Sequence, residues 1–211
     1  QVSRQLFHLS DTPYVDNRIQ RERWGEFKSM TPFEKVPILE IDGKLLPQSF
    51  AIARYLAREF VPRIIFALEF QNYCTLSFKG FAGRSNLESA WIDAYADQFK
   101  DYLEYIRPFF RVAIGASQGD FEQLKKEFAE PNRDKFFGFL EKLAKDNGAN
   151  GHFVGDSLTW FDLLIADHIL TMENFVLGFL DGFPTVLETR NKIVNTPKLK
   201  EWIDRRPVTR F

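Results

Sequence analysis

The stretch from Lys35 to Leu56 constrains this chain more than any other. It begins Lys35-Val36-Pro37-Ile38-Leu39-Glu40-Ile41-Asp42-Gly43 and continues through Gln48-Ser49-Phe50-Ala51-Ile52-Ala53-Arg54-Tyr55-Leu56. Proline cannot donate to a sheet ladder, so Pro37 belongs at the entry of a strand. Asp42-Gly43 between two apolar runs is a strong hairpin signal, because both residues tolerate the left-handed backbone of a tight turn. Ser49 is a residue type favoured as a helix N-cap, and the residues after it are apolar at helical spacing. The reading is therefore strands at 38–41 and 44–46 and a helix at 49–60 capped by Ser49. Upstream, Val2, Leu6, Phe7 and Leu9 predict a helix over 1–9, ended by Asp11-Thr12-Pro13. Tyr14 to Ile19 alternates with period two and reads as a strand, and 21–29 as a short helix bearing Trp24, Phe27 and Lys28. The first 60 residues thus read α-β-α-β-β-α.

From about residue 84 onward the pattern is helical. Long helices are expected from Leu87 to about Gly115 and from Asp120 to Asn147, and shorter ones at 185–195 and 198–204, with Pro197 and Pro207 as stops. Another helix starts at Thr159, where Thr159-Trp160-Phe161-Asp162 matches a capping box with Asp in the reciprocal position, and Leu158 and Leu163 are placed to staple it. The 45% hydrophobic content supports a true core, and 23 phenylalanines predict an interior rich in flat apolar surface. A net charge of −1 gives no footprint for nucleic acid. The single cysteine excludes an intrachain disulfide framework and fits a reducing, cytoplasmic setting, and no N-terminal signal pattern is present. The longest apolar run, Ile64 to Leu68, is too short to span a bilayer. His8, His152 and His168 have no ligand-like spacing with one another or with Cys74, so no metal site is expected.

The Val36-Pro37 strand entry, the Asp42-Gly43 turn and the Gln48-Ser49 helix start together resemble the glutathione-binding core of the cytosolic glutathione transferases, most closely the sigma type. The segment Phe153-Val154-Gly155-Asp156-Ser157-Leu158-Thr159-Trp160-Phe161-Asp162 and the tail from Trp202 to Thr209 extend the likeness. The resemblance implies a thioredoxin-like domain over 1–60, an atypical insertion at 61–79, and an all-helical domain over 80–211. It implies a cis Val36-Pro37 bond, with the backbone of Val36 turned toward the tripeptide. Gln48 and Ser49 would bind the γ-glutamyl end. A helix start suits a carboxylate there, and Ser49 can serve as both cap and ligand. Trp24 and Lys28, four apart, would contact the glycyl carboxylate; Trp24 alone reads as core, and its spacing relative to Val36-Pro37 turns it to binding, while Lys35 would add positive charge at that end. On the long helix Asp93, Asp97 and Asp101 recur every fourth residue; Asp93 reads as part of a solvated stripe. Asp101 matches the family aspartate that reaches across a homodimer to the α-amino group of glutathione.

The same resemblance places Gln1 inside the family's first helix, so the preceding strand, with the tyrosine whose hydroxyl donates to the thiolate, is expected ahead of this sequence. No catalytic hydroxyl is assigned within the chain, and Tyr14 falls on the wrong strand to replace it. That first strand is central in the family sheet, so the chain without it is expected to fold its first domain poorly. The 19 residues from Val61 to Lys79 have no family counterpart and read as a retained intron or an inserted loop. The activity implied is addition of the glutathione thiol to hydrophobic electrophiles, with Leu103, Phe109 and Phe110 as candidate walls of the acceptor site, each of which could equally be core. Glutathione-dependent prostaglandin isomerisation and a crystallin-like or ligand-carrier role are the alternatives.

Overall fold

The computed structural model describes residues 1–60 and 80–207, so the expected insertion at 61–79, with Cys74, and the end of the tail at Val208 and Thr209 lie outside the described residues. The first part opens with α1 (Val2–Leu9), whose Val2, Leu6 and Leu9 form a buried stripe. A series of short helical turns follows, with α2 (Trp24–Phe27) at its centre between Arg21–Arg23 and Lys28–Met30. Then come β1 (Ile38–Ile41) and β2 (Lys44–Pro47), paired antiparallel with Leu39 opposite Leu46 and Ile41 opposite Lys44. Asp42 and Gly43 turn the hairpin at φ +49° and +75°, the left-handed pair that the Asp-Gly signal predicts. The helix α3 (Ser49–Glu59) buries Ile52, Ala53, Leu56 and Ala57 and packs against α1 and both strands.

One expected strand is corrected. Residues 13–20 have no regular structure, and the sheet has two strands among the described residues. The alternation over Tyr14 to Ile19 has the period of a half-buried strand, but a strand also requires a ladder partner, and no described segment runs beside it. Val15 is exposed instead, and Tyr14 stacks on Phe7 with ring centroids 4.5 Å apart.

Helices are the only regular elements of the second part among its described residues, joined by turns and irregular segments. They comprise α4 (Asn86–Ala113), α5 (Phe121–Leu124), α6 (Glu130–Asp146), α7 (Trp160–Met172), α8 (Pro184–Val194) and α9 (Pro197–Arg205). The helix expected from Asp120 to Asn147 is continuous but widens into a π turn over Lys125–Ala129. Pro131 lacks the N–H that an α-helix would direct to the Glu127 carbonyl, and the wider turn absorbs that defect. Phe99, Phe109, Phe137, Phe153, Phe161 and Phe179 are fully buried, so the phenylalanine content does go into the interior. The capping box forms as expected. Asp162 accepts from the Thr159 N–H at 2.7 Å and the Phe153 N–H at 2.9 Å, while Thr159 Oγ1 accepts from the Asp162 N–H at 3.3 Å.

The end of α3 is completed by residues distant in sequence. Phe81 donates its N–H to the Ala57 carbonyl at 2.9 Å, and Gly80 before it has φ +59°. This is the arrangement of a glycine-capped helix end, with Gly80 and Phe81 standing where the residues after Phe60 would stand. A Cβ on Gly80 would lie 2.0 Å from the Phe60 carbonyl oxygen, so only glycine fits.

Candidate functional site

The residues singled out between 24 and 49 lie on consecutive elements that touch one another. The Lys28–Met30 turn contacts the Pro32–Glu34 turn, which contacts β2, and β2 packs on α3. The Val36-Pro37 bond is cis, as the resemblance implies. Val36 is 56% exposed although apolar, so its backbone lies at the surface beside the strand entry rather than under a layer of side chains. Trp24 is half-buried, while Lys28, Lys35 and Pro37 are exposed. Lys28 pairs with Glu34 at 3.2 Å, a partner the sequence reading did not assign.

At the other end of the hairpin the expected cap is corrected. Gln48 is the residue that caps α3, and Ser49 is the first helical residue. No side chain caps this helix start, so the N–H groups of its first turn have no intrahelical partner and face outward with the positive end of the helix dipole. Gln48 holds φ +75° and ψ 115°, a conformation that side-chain-bearing residues rarely adopt. Residues kept in such conformations cluster at ligand sites, where the surrounding structure over-determines them.

The surroundings of Gln48 and Ser49 supply that constraint, and the sequence reading missed most of it. Phe50 stands edge-on to Trp160 with centroids 6.1 Å apart and stacks toward Phe99 at 6.4 Å. Arg54, one turn on, donates from Nε to Asp93 at 2.9 Å and from Nη2 to Asp97 at 2.7 Å, with its guanidinium 5.6 Å from the Trp160 ring. Arg58 adds a 3.4 Å bond to Asp93. Asp93 is therefore no member of a merely solvated stripe; it is half-buried between two arginines. The available signal was the matching spacing, Arg54 and Arg58 on one helix against Asp93 and Asp97 on another. Asp101, a turn beyond Asp97, is exposed and makes no ion pair among the described residues.

Of the three candidate acceptor walls, Phe109 is fully buried against Phe121 and belongs to the core, and Phe110 is half-buried against Phe175. Leu103 is half-buried and packs against the core. His168 is also interior. Its Nε2 lies 3.1 Å from the Tyr102 hydroxyl, and burial pushes its imidazole down to about 3 and the Tyr102 hydroxyl well above its usual range. Partial burial raises the Tyr14 hydroxyl as well, so it remains protonated at neutral pH. No group of three metal-ligating side chains occurs among the described residues, and no described helix is long and apolar enough to cross a membrane.

Comparison with known proteins places this geometry in a family. Residues 6–58 match the model of the glutathione S-transferase N-terminal domain, and residues 103–206 match that of its C-terminal domain. The chain is 40% identical over 209 residues to probable glutathione S-transferase 9 of Caenorhabditis elegans, covering 99% of this chain and 92% of that one. A solved Nu-class transferase from Haemonchus contortus is 43% identical, with TM-score 0.81 and coverage of 100% and 92%. The prostaglandin synthase D structure of Nilaparvata lugens is 30% identical, with TM-score 0.79 and coverage of 99% and 92%. The fold is accordingly a thioredoxin-like N-terminal domain joined to a helical C-terminal domain, in a family of enzymes that use glutathione as co-substrate. Matched by both domain models and, over 99% of its length, 40% identical to that Caenorhabditis elegans protein, the chain belongs to the glutathione S-transferase family.

Proposed function

We propose that this protein binds reduced glutathione along the line from Trp24 through Val36 to Ser49 and conjugates it to hydrophobic electrophiles, a detoxifying activity of the cytoplasm. The domains are taken as 1–60 and 80–211, with 61–79 inserted between them. The observation that carries the reading is the uncapped, outward-facing start of α3, with Gln48 in a rare conformation and Ser49 beside it, joined through the hairpin to exposed Val36. An extended peptide acid needs backbone pairing along its length and anion sites at both ends. Val36 supplies backbone, Ser49 and the first turn of α3 supply the γ-glutamyl end, and Lys35 and Lys28 supply the glycyl end. Lys28 shares its charge with Glu34, so Lys35 is the freer cation of the two. Asp101, exposed on α4, is taken to meet the ligand's ammonium in a partner copy of a homodimer.

The family likeness to nematode transferases at 40–43% supports conjugation over prostaglandin isomerisation, for which the likeness falls to 30%. The sigma-type reading is kept only as kinship, since the Haemonchus contortus relative is described as Nu-class. The resemblance gives the thiol-activating hydroxyl to a tyrosine on the strand that precedes the family's first helix. The test is a conjugation assay with glutathione and an aryl halide, run on this chain and on the chain extended by a family-type strand bearing that tyrosine. Turnover by the extended form supports the reading. A folded extended form that neither binds glutathione nor turns over contradicts it and leaves a carrier or structural role.

A further inference from the structure

We propose that Arg54 is a positioning residue for glutathione. By clasping α3 to the helical domain, it holds Gln48 and Ser49 where the γ-glutamyl group binds. The inference rests on the function proposed above and adds a residue that touches no ligand. The stripe Phe50, Arg54, Arg58 recurs at helical spacing along α3, and every member meets the helical domain. Phe50 directly follows Ser49 and abuts Trp160, the first residue of α7. Trp160 is itself fixed: it is 1% exposed, and its N–H donates to the Phe81 carbonyl at 2.9 Å. Arg54 covers the same indole and reaches two carboxylates on α4 with separate nitrogens. A guanidinium can hold both at once because its donors form a rigid fork, which an ammonium cannot reproduce.

Gln48 shows why such a clasp is needed. Its φ of +75° is unfavourable for a side-chain-bearing residue and persists only if both flanks are held. One flank is β2. The other is the first turn of α3, whose helix lies on the second domain through this stripe. With Arg54 neutral, α3 keeps its apolar packing through Ile52 and Leu56 but loses its charged tether, and its first turn gains freedom to shift. Shifts well below the size of an atom at a binding group are enough to weaken a ligand.

The experiment is calorimetric titration of the full chain with glutathione and with an analogue lacking the γ-glutamyl α-carboxylate, for the parent, Arg54→Gln, Arg54→Lys, Asp97→Asn and Arg54→Gln/Asp97→Asn. The expected result for Arg54→Gln is a glutathione Kd raised about three- to tenfold, with little change for the analogue, and Arg54→Lys recovering only part of the loss. Asp97→Asn weakens binding less, and the double variant is no worse than Arg54→Gln alone, as for a coupled pair. Arg54→Gln that lowers the melting temperature but leaves glutathione affinity unchanged overturns the inference, as do strictly additive effects in the double variant. If Arg54→Gln fails to fold, Asp97→Asn decides, because that carboxylate is 66% exposed and its loss leaves the core intact. Unchanged affinity there overturns the inference. A folded parent that does not bind glutathione at all overturns the function itself and the inference with it, a result distinct from a parent that binds and variants that match it.

Discussion

Asp162 ties the start of α7 to the loop before it. It is fully buried and satisfied by three donors, the N–H groups of Phe153 and Thr159 and the Thr159 hydroxyl at 2.8 Å. Asp162→Ala leaves those donors unpaired in the interior and is expected to cost about 2–4 kcal/mol in urea unfolding, against about 1 kcal/mol for Thr159→Ala. His168 sets a pH dependence of definite sign. Its folded pKa, about 3, lies below the unfolded value of about 6.5, so between those values the unfolded chain binds the extra proton. Its contribution to stability is therefore complete above about pH 6.5 and is lost as pH falls toward 3, with a limiting slope of about 1.4 kcal/mol per pH unit. Chemical unfolding of the parent and of His168→Gln at a series of pH values should show a shallower acid limb in the variant. Parallel curves would mean that the imidazole is more accessible than its packing against Phe99 and Phe179 indicates.

At the scale of elements, α8 is capped from outside its own sequence. Glu141 of α6 accepts from the N–H groups of Thr185 and Val186 at 3.1 and 2.9 Å, at the positive end of the α8 dipole. Burial pushes the Glu141 carboxyl up, but the bonds from Thr185, Val186 and Lys145 outweigh it and hold the group below the usual range. Glu141→Gln keeps the shape and should cost about 1 kcal/mol, and Glu141→Ala about 2–3 kcal/mol, both read from thermal or urea melts. Nothing in the local pattern announces this cap, because donor and acceptor are 44 residues apart. The hairpin, α3 and the Thr159 box were legible for the opposite reason: turn chemistry and capping are encoded within a few residues. The Tyr14 to Ile19 strand failed because its period is local but its partner is not. The helix end at Phe60 combines both cases. Gly80 and Phe81 cap α3 across residues 61–79, so joining Phe60 directly to Gly80 should preserve that cap. Deletion of 61–79 is expected to leave the melting temperature equal or higher, and a large loss would show that the segment contributes to the fold.

At the scale of the whole molecule, the two parts meet through α1 and α3. The helix α1 lies against α7 and α9, with Asp11 paired to Lys198, and α3 reaches α4 and α7 through Phe50 and Arg54. The proposed site therefore depends on contacts between regions that no sequence window contains. This is why the residues proposed to face the ligand can be read from local motifs, whereas the residues packed behind them, Arg54 and Trp160 above all, cannot. The central claim is that the start of α3 receives the γ-glutamyl end of glutathione, and calorimetric titration of the folded chain with glutathione, beside Ser49→Ala, tests it most directly. Saturable binding is expected, and Ser49→Ala is expected to weaken it about tenfold or more, since a hydrogen bond to a carboxylate contributes about 1.5–3 kcal/mol. A folded chain that shows no binding, or binding that is indifferent to Ser49, would contradict it.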